Sequence, residues 1–279
     1  MHILSSFIQG KTAAADRCED GYVSTPHFAA VVDGSTSKAA LSGAMAATSK
    51  PSKSGGRLAM ETVCGIIKTL SPSATLHDLV GQASAALRAL WPEGADEEAA
   101  LRPTCSAVVY SACRREVWMI GDCQCRFGGI THTNNKVIDD TLAQIRADVL
   151  HYWLAAGCSV ESLRQNDRGR TFIYDALRTQ TNFQNIADVC NPLRYTVLDG
   201  QTVDETTIPV IPVGAADRLI LASDGYPLLF DSLTETEAYL KDCLLADPLC
   251  IDRHPATKGL TAGNVSFDDR TYLLLDIAP

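Results

Sequence analysis

The chain has 279 residues, with 46% hydrophobic and 20% charged residues, a composition that supplies a full globular core in one large domain or two small ones. Its formal net charge is −9, from 24 basic and 33 acidic residues, and no basic patch marks a nucleic-acid binder. No apolar run approaches the roughly 18 residues of a membrane span. The start, Met1-His-Ile-Leu-Ser-Ser-Phe7, lacks the charged and apolar regions of a signal peptide.

These features lead us to expect a cytoplasmic protein with neither nucleic-acid nor membrane partners. Ten cysteines are present, with Cys123-Gln-Cys125 as the one close pair and no Cys-x-x-Cys. Zinc-finger spacing is therefore absent, and free, mostly buried thiols are expected.

In chain order, residues 3–9 and 28–33 read as strands. Residues 39–47 are small and compatible with helix, and 49–56 have the composition of a basic loop. Residues 57–70 and 76–91 show helical spacing of apolar residues, with Pro72 and Pro92 as punctuation. Residues 105–110 and 116–120 read as a hairpin, and 126–130 continue that sheet. A helix is expected over 140–156, strands over 193–198, 218–222 and 271–277, and a helix over 233–245. This order does not alternate as a doubly wound sheet would, and antiparallel sheets with helices outside fit it better. Trp91, Trp118 and Trp153 read as core anchors. His132, His151 and His254 are isolated and read as surface or satisfied core residues. Cys123 and Cys125 fall on one face of a strand and read as packing.

The informative feature is a set of aspartates at the edges of apolar runs. Asp33 ends Phe28-Ala-Ala-Val-Val-Asp33, and Asp122 ends Val117-Trp-Met-Ile-Gly-Asp122. Asp224 ends Leu219-Ile-Leu-Ala-Ser-Asp224, and Asp268 and Asp269 precede Arg270-Thr-Tyr-Leu-Leu-Leu275. Each alone also fits a turn, since Asp bonds its own backbone. Together, with Glu19-Asp20, they point to one shared positive partner, and a hard divalent cation suits carboxylates.

With these residues in view, the chain resembles the PPM family of metal-dependent protein phosphatases, the type 2C serine/threonine phosphatases, in their bacterial form. The resemblance rests on five ordered landmarks: Glu19-Asp20, Val31-Val-Asp-Gly34, Ile120-Gly-Asp-Cys-Gln124, Leu221-Ala-Ser-Asp-Gly225 and Asp268-Asp-Arg-Thr271. Pro103-Thr-Cys-Ser-Ala-Val-Val109 is similar to the strand preceding the third. It implies an α+β fold, a four-layer αββα sandwich of two face-to-face antiparallel sheets with helix pairs outside. It also implies one domain over 1–279 with a variable insert or flap around 131–190.

The resemblance further implies two Mn²⁺ or Mg²⁺ ions, with room for a third. Asp33 would bridge the two ions, and the Gly34 carbonyl would bind one of them. Asp224 and Asp268 (or Asp269 in its place) would complete one ion, and Asp20 would hold waters of the other. Asp122 would join Asp224 at the third. The implied reaction is hydrolysis of phosphoserine or phosphothreonine in a protein substrate, opposing a Ser/Thr kinase, by direct attack of a metal-bridging hydroxide. The alternatives are a catalytically silent PPM-like module that binds a phosphoprotein or signalling partner, and a hydrolase of small phosphate esters.

Three departures from the family pattern stand out. Ala15 occupies the place of a phosphate-gripping arginine, leaving Arg17 and Lys11 as the candidate phosphate contacts nearby. Ser35 follows Asp33-Gly34 where eukaryotic members carry histidine. Gln124 replaces the arginine of Gly-Asp-Ser-Arg.

Overall fold

A computed structural model describes residues 1–12, 14, 17–35, 53–188 and 190–278. The helix expected over 39–47, the first half of the loop 49–56 and the departure at Ala15 lie outside these residues. Ten strands form two antiparallel five-stranded sheets. One has the order β2 (Asp20–Ser24), β3 (Phe28–Gly34), β4 (Cys105–Ser111), β5 (Glu116–Ile120) and β8 (Val210–Pro212). The other has the order β1 (His2–Gln9), β10 (Arg270–Asp276), β9 (Arg218–Ala222), β6 (Gln124–Phe127) and β7 (Ile130–His132).

The sheets pack face to face. Side chains alternate along a strand, so Ala29, Val31, Val108, Tyr110, Val117 and Met119 of one sheet meet Cys125, Leu219, Leu221, Leu273 and Leu275 of the other in one dry layer. The opposite face of the first sheet carries Ala30, Val32, Val109 and Trp118. These are covered by α1 (Gly55–Thr69) and α2 (Leu76–Arg88) through residues such as Val63, Ile67, Leu79 and Leu87. Ser54 caps α1, and Thr75 with Asp78 makes a reciprocal capping box on α2, satisfying N–H groups that each helix start leaves open. The second sheet's outer face, with Ile220, Ala222, Tyr272 and Leu274, is covered by α7 (Leu233–Ala246) and the residues flanking it. This is the four-layer α+β sandwich.

Between β7 and residue 180 the chain forms α3 (Val137–Ala155), α4 (Val160–Gln165), α5 (Arg168–Phe172) and α6 (Tyr174–Thr179). Ala147, Leu150 and Leu163 pack on Leu249 and Ile251. The interior of this subassembly is polar as well. Arg146, fully buried, donates from Nε to Asp167 at 2.9 Å and from its terminal nitrogens to the carbonyls of Leu249, Cys250 and Ala256 at 2.8–3.2 Å. One guanidinium thus ties α3, the start of α5 and the segment after α7.

The sequence reading differs from this fold in identifiable places. The expected strand over 193–198 makes only isolated bridges, Leu198 to Cys105 and Tyr195 to Gln184. The Thr196 and Thr207 hydroxyls hydrogen-bond to each other at 2.6 Å. Strands β2 and β8 and helices α4 to α6 are too short for periodicity to reveal. Of the three tryptophans only Trp118 is fully buried. Trp91 stacks beneath Arg88 and Arg102, and Trp153 beneath Arg168, so both are partly exposed platforms for cations. The ten cysteines form no disulfide, and no described helix is long and apolar enough to cross a membrane.

Arg146→Ala would remove the guanidinium from Asp167 Oδ2 and from three carbonyls. The expected loss is about 3–5 kcal/mol of folding stability, read from the urea midpoint. A change below about 1 kcal/mol would show that Arg146 does not hold this region together.

Candidate metal centre

Strand register builds the site. In the first sheet Asp20 pairs with Asp33, and Asp33 pairs with Ser106. Directly opposed residues share a face, so these three side chains form one row across β2, β3 and β4. The row continues the inter-sheet face beyond its last apolar residues, Val31 and Val108. Asp122 enters on the crossing from β5 to β6. That crossing turns at Gly121, whose φ is +84° and where a Cβ would sit 2.2 Å from Ser106 Oγ. Only glycine meets both conditions. Asp224 follows β9 and Asp268 precedes β10, at the same end of the second sheet.

One oxygen from each of Asp33, Asp122 and Asp224 lies within 4.8 Å of the others. All three line a cavity of about 250 Å³ together with Gly34, Ser35, Ser106, Lys136 and Asp268. Asp20 lies beneath, 2% exposed. Its Oδ2 accepts from Ser223 Oγ at 2.6 Å across the sheet gap. Its Oδ1 is buried with no hydrogen-bond partner among the described residues. Gly34 is the pivot of the strand end. Its N–H donates to Glu19 O, and a Cβ there would lie 2.3 Å from the Gly56 carbonyl at the start of α1.

The electrostatics divide the carboxylates into two groups. Burial, with Asp20, Asp268 and Asp122 close by, raises Asp33 well above the usual carboxylate range. Burial and the charges of Asp33 and Asp122 do the same to Asp224. Asp20 is pushed up to about 7, by burial first and then by Asp269 and Asp268 against the lowering bond from Ser223. Asp122 and Asp268 go the other way. Burial would raise both, but Lys136 lies 2.6 Å from Asp122 Oδ2 and Lys258 2.5 Å from Asp268 Oδ2, and these ammonium groups hold the two carboxyls low. Ser106 Oγ donates to the remaining Asp122 oxygen at 2.6 Å.

Asp268 and Asp269 are distinguished by their partners. Asp268 lines the cavity. Asp269 accepts from the backbone N–H groups of Lys11 and Glu19, at 2.7 and 3.0 Å, and so stitches the N-terminal segment to β10. Lys11 sits 3.4 Å from Asp269, 3.7 Å from Asp268 and 3.8 Å from Glu19. Burial would lower its pKa, but these carboxylates hold it up. Lys11 is thus a counter-ion of the protein's own acids. Arg17 is exposed on a short turn and is not part of the cavity wall, so the structure does not bring it to the aspartates. Gln124, buried, donates to the carbonyls of Ser223 and Tyr226 and holds the turn that carries Asp224.

Residues with no motif around them complete the wall. Lys136 and Asp139 come from the start of α3, Arg170 from α5, Gln180 from the turn after α6, and His254 and Lys258 from the segment after α7. Burial lowers the His254 pKa. The sequence signal for Lys136 and Lys258 is slight, since a lysine at a helix start or in a loop reads as a solvated charge.

The residues present fit a divalent cation. They offer converging hard oxygen donors, an orphaned Asp20 oxygen and carboxyls that a positive charge would return to ionised form.

No protein-family model matches the chain, and no curated protein matches it. Among solved structures, the chain is similar to the serine/threonine phosphatase Stp1 from Staphylococcus aureus, with 13% identity and TM-score 0.47, covering 100% of this chain and 96% of that one. It is similar to the catalytic domain of the phosphatase PstP in complex with two manganese ions, with 16% identity and TM-score 0.47, covering 99% and 97%. It is also similar to PppA of Pseudomonas aeruginosa, described as a regulatory component of T6SS, with 16% identity and TM-score 0.42, covering 97% and 95%.

The raised Asp20 carboxyl carries a pH signature. A folded pKa above the unfolded one contributes stability that is complete below about 3.8 and is lost as pH rises through about 7. In metal-free protein, Asp20→Asn, which still accepts from Ser223, is expected to gain on wild type by about 3–4 kcal/mol over that window. Chemical denaturation at pH 4 and pH 8 measures it. A stability difference that does not change with pH would show that Asp20 is ionised throughout.

Proposed function

We propose that the protein is a Mn²⁺- or Mg²⁺-dependent phosphatase of the PPM type that hydrolyses phosphoserine or phosphothreonine in a protein substrate. The observation that carries this reading is the convergence of Asp33, Asp122 and Asp224 within 4.8 Å above a buried Asp20 oxygen that has no donor. The five sequence landmarks resemble that family, and their aspartates are the ones gathered here.

In this reading Asp33, Asp224, Asp268, Asp20 and the Gly34 carbonyl hold two ions. Asp122, oriented by Ser106 and 2.6 Å from Lys136, would join Asp224 at a third ion. When bound, the ions supply water of lowered pKa and screen the charge of a phosphoryl group. The chain's own residues do the rest. Ser223 and Ser106 fix the Asp20 and Asp122 carboxylates, and Gln124 fixes the turn bearing Asp224. Lys258 keeps Asp268 ionised. No cysteine is required, since Cys123 and Cys125 are buried in the inter-sheet layer.

The competing reading, a silent phosphoprotein-binding module, rests on Ala15 and on Gln124 as departures from the family pattern. The bonds from Gln124 to Ser223 and Tyr226 give that residue a positioning task compatible with catalysis. The implied partner is a phosphorylated protein, and the activity would oppose a Ser/Thr kinase. The protein is proposed to act in the cytoplasm.

Hydrolysis of a phosphothreonine peptide is expected with Mn²⁺, to be abolished by EDTA, and to fall at least about 100-fold in Asp33→Asn and in Asp224→Asn. Phosphate release compared with that from a sugar phosphate separates a protein phosphatase from a small-ester hydrolase. Full activity in either variant would refute the assignment of the site.

A further inference from the structure

The cavity that holds the acidic cluster has three cationic side chains in its described wall, Lys136, Arg170 and Lys258. The two lysines are committed to carboxylates, Lys136 to Asp122 and Lys258 to Asp268. Arg170 is placed differently. Its Nη1 donates to the Thr257 carbonyl at 2.7 Å, and no carboxylate of the described residues lies within salt-bridge reach of it.

The nearest acid in sequence, Asp167, is already spent. Its Oδ1 caps the Arg170 backbone N–H at 2.7 Å, and its Oδ2 receives Arg146 from Nε at 2.9 Å and Nη2 at 2.8 Å. α5 is therefore fixed by Arg146 of α3, while its own Arg170 lines the cavity. Gly169 beside it allows the close approach, since a Cβ there would lie 2.8 Å from the Arg146 carbonyl.

We propose that Arg170 is the side chain that binds the phosphoryl oxygens of the substrate, in the cavity it lines with the aspartates. This rests on the phosphatase reading and adds to it the anchor that Ala15 and the outlying Arg17 do not supply. A guanidinium presents parallel N–H donors that match two phosphate oxygens, and it stays charged when water is excluded. The Thr257 carbonyl occupies one nitrogen and sets the plane of the fork. A phosphomonoester dianion supplies the counter-charge that the described protein does not. The anchor comes from α5, within the variable segment around 131–190.

The test is calorimetric titration of inorganic phosphate into Mn²⁺-loaded wild type, Arg170→Met and Arg170→Lys, with Mn²⁺ affinity measured separately on each. Arg170→Met is expected to weaken phosphate binding by about 10- to 100-fold, as loss of a charge-assisted bond implies, with Mn²⁺ affinity unchanged. Arg170→Lys is expected to fall between, and it decides the matter should the methionine variant not fold. In turnover the loss is expected in KM for the phosphothreonine peptide more than in kcat. Unchanged phosphate affinity with intact Mn²⁺ binding overturns this inference alone. Failure of wild type to bind Mn²⁺ overturns the metal reading and the inference with it.

Discussion

Mutual repulsion among carboxylates at the end of the inter-sheet layer is the constraint around which this molecule is organised. Antiparallel register puts Asp20 opposite Asp33, and the chain crossings bring Asp122, Asp224 and Asp268 to the same end. Like charges at close range raise one another's pKa, and burial adds to that. Such an arrangement is stable only if some groups stay protonated or a positive charge enters. Two lysines serve Asp122 and Asp268, and the remaining three carboxyls are left to protons or to a cation.

The rest of the fold serves that cluster. The apolar inter-sheet layer fixes the strand ends from which the aspartates project, and packed β-structure changes register only in whole-residue steps that would turn every side chain to the other face. Ser106, Ser223 and Gln124 hold individual carboxylates and turns. Arg146 holds α3, α5 and the segment after α7 as one wall, so Lys136, Arg170 and Lys258 face the acids from a scaffold and not from a loose loop. A positive wall opposite an acidic floor suits a substrate that is itself anionic and a cation between the two.

The sandwich and its acidic floor were legible in the sequence because both arise from strong local patterns. Apolar runs such as Ala29-Ala-Val-Val32 and Leu219-Ile-Leu221 can only be buried strands, and an aspartate at each end is visible as a break in hydrophobicity. The opposite wall was not legible. Lys136 and Lys258 lie in polar stretches where a solvated lysine is the ordinary outcome, and Arg170 sits in a five-residue helix too short to show a period. Their role depends on contacts across 14 residues for Lys136 with Asp122 and 10 for Lys258 with Asp268, and on the Arg146 network reaching from α3 to Ala256. Arg17 is close to Asp20 in sequence, yet Asp20 points inward from β2 while Arg17 stays on the surface turn before it.

The exchange of protons for a cation is the central claim, and calorimetry of Mn²⁺ binding near pH 7 in two buffers of different ionisation enthalpy tests it most directly. Net release of about one proton or more per chain, lost in Asp33→Asn, is the predicted result. Binding whose heat is the same in both buffers, or no binding at all, would contradict it.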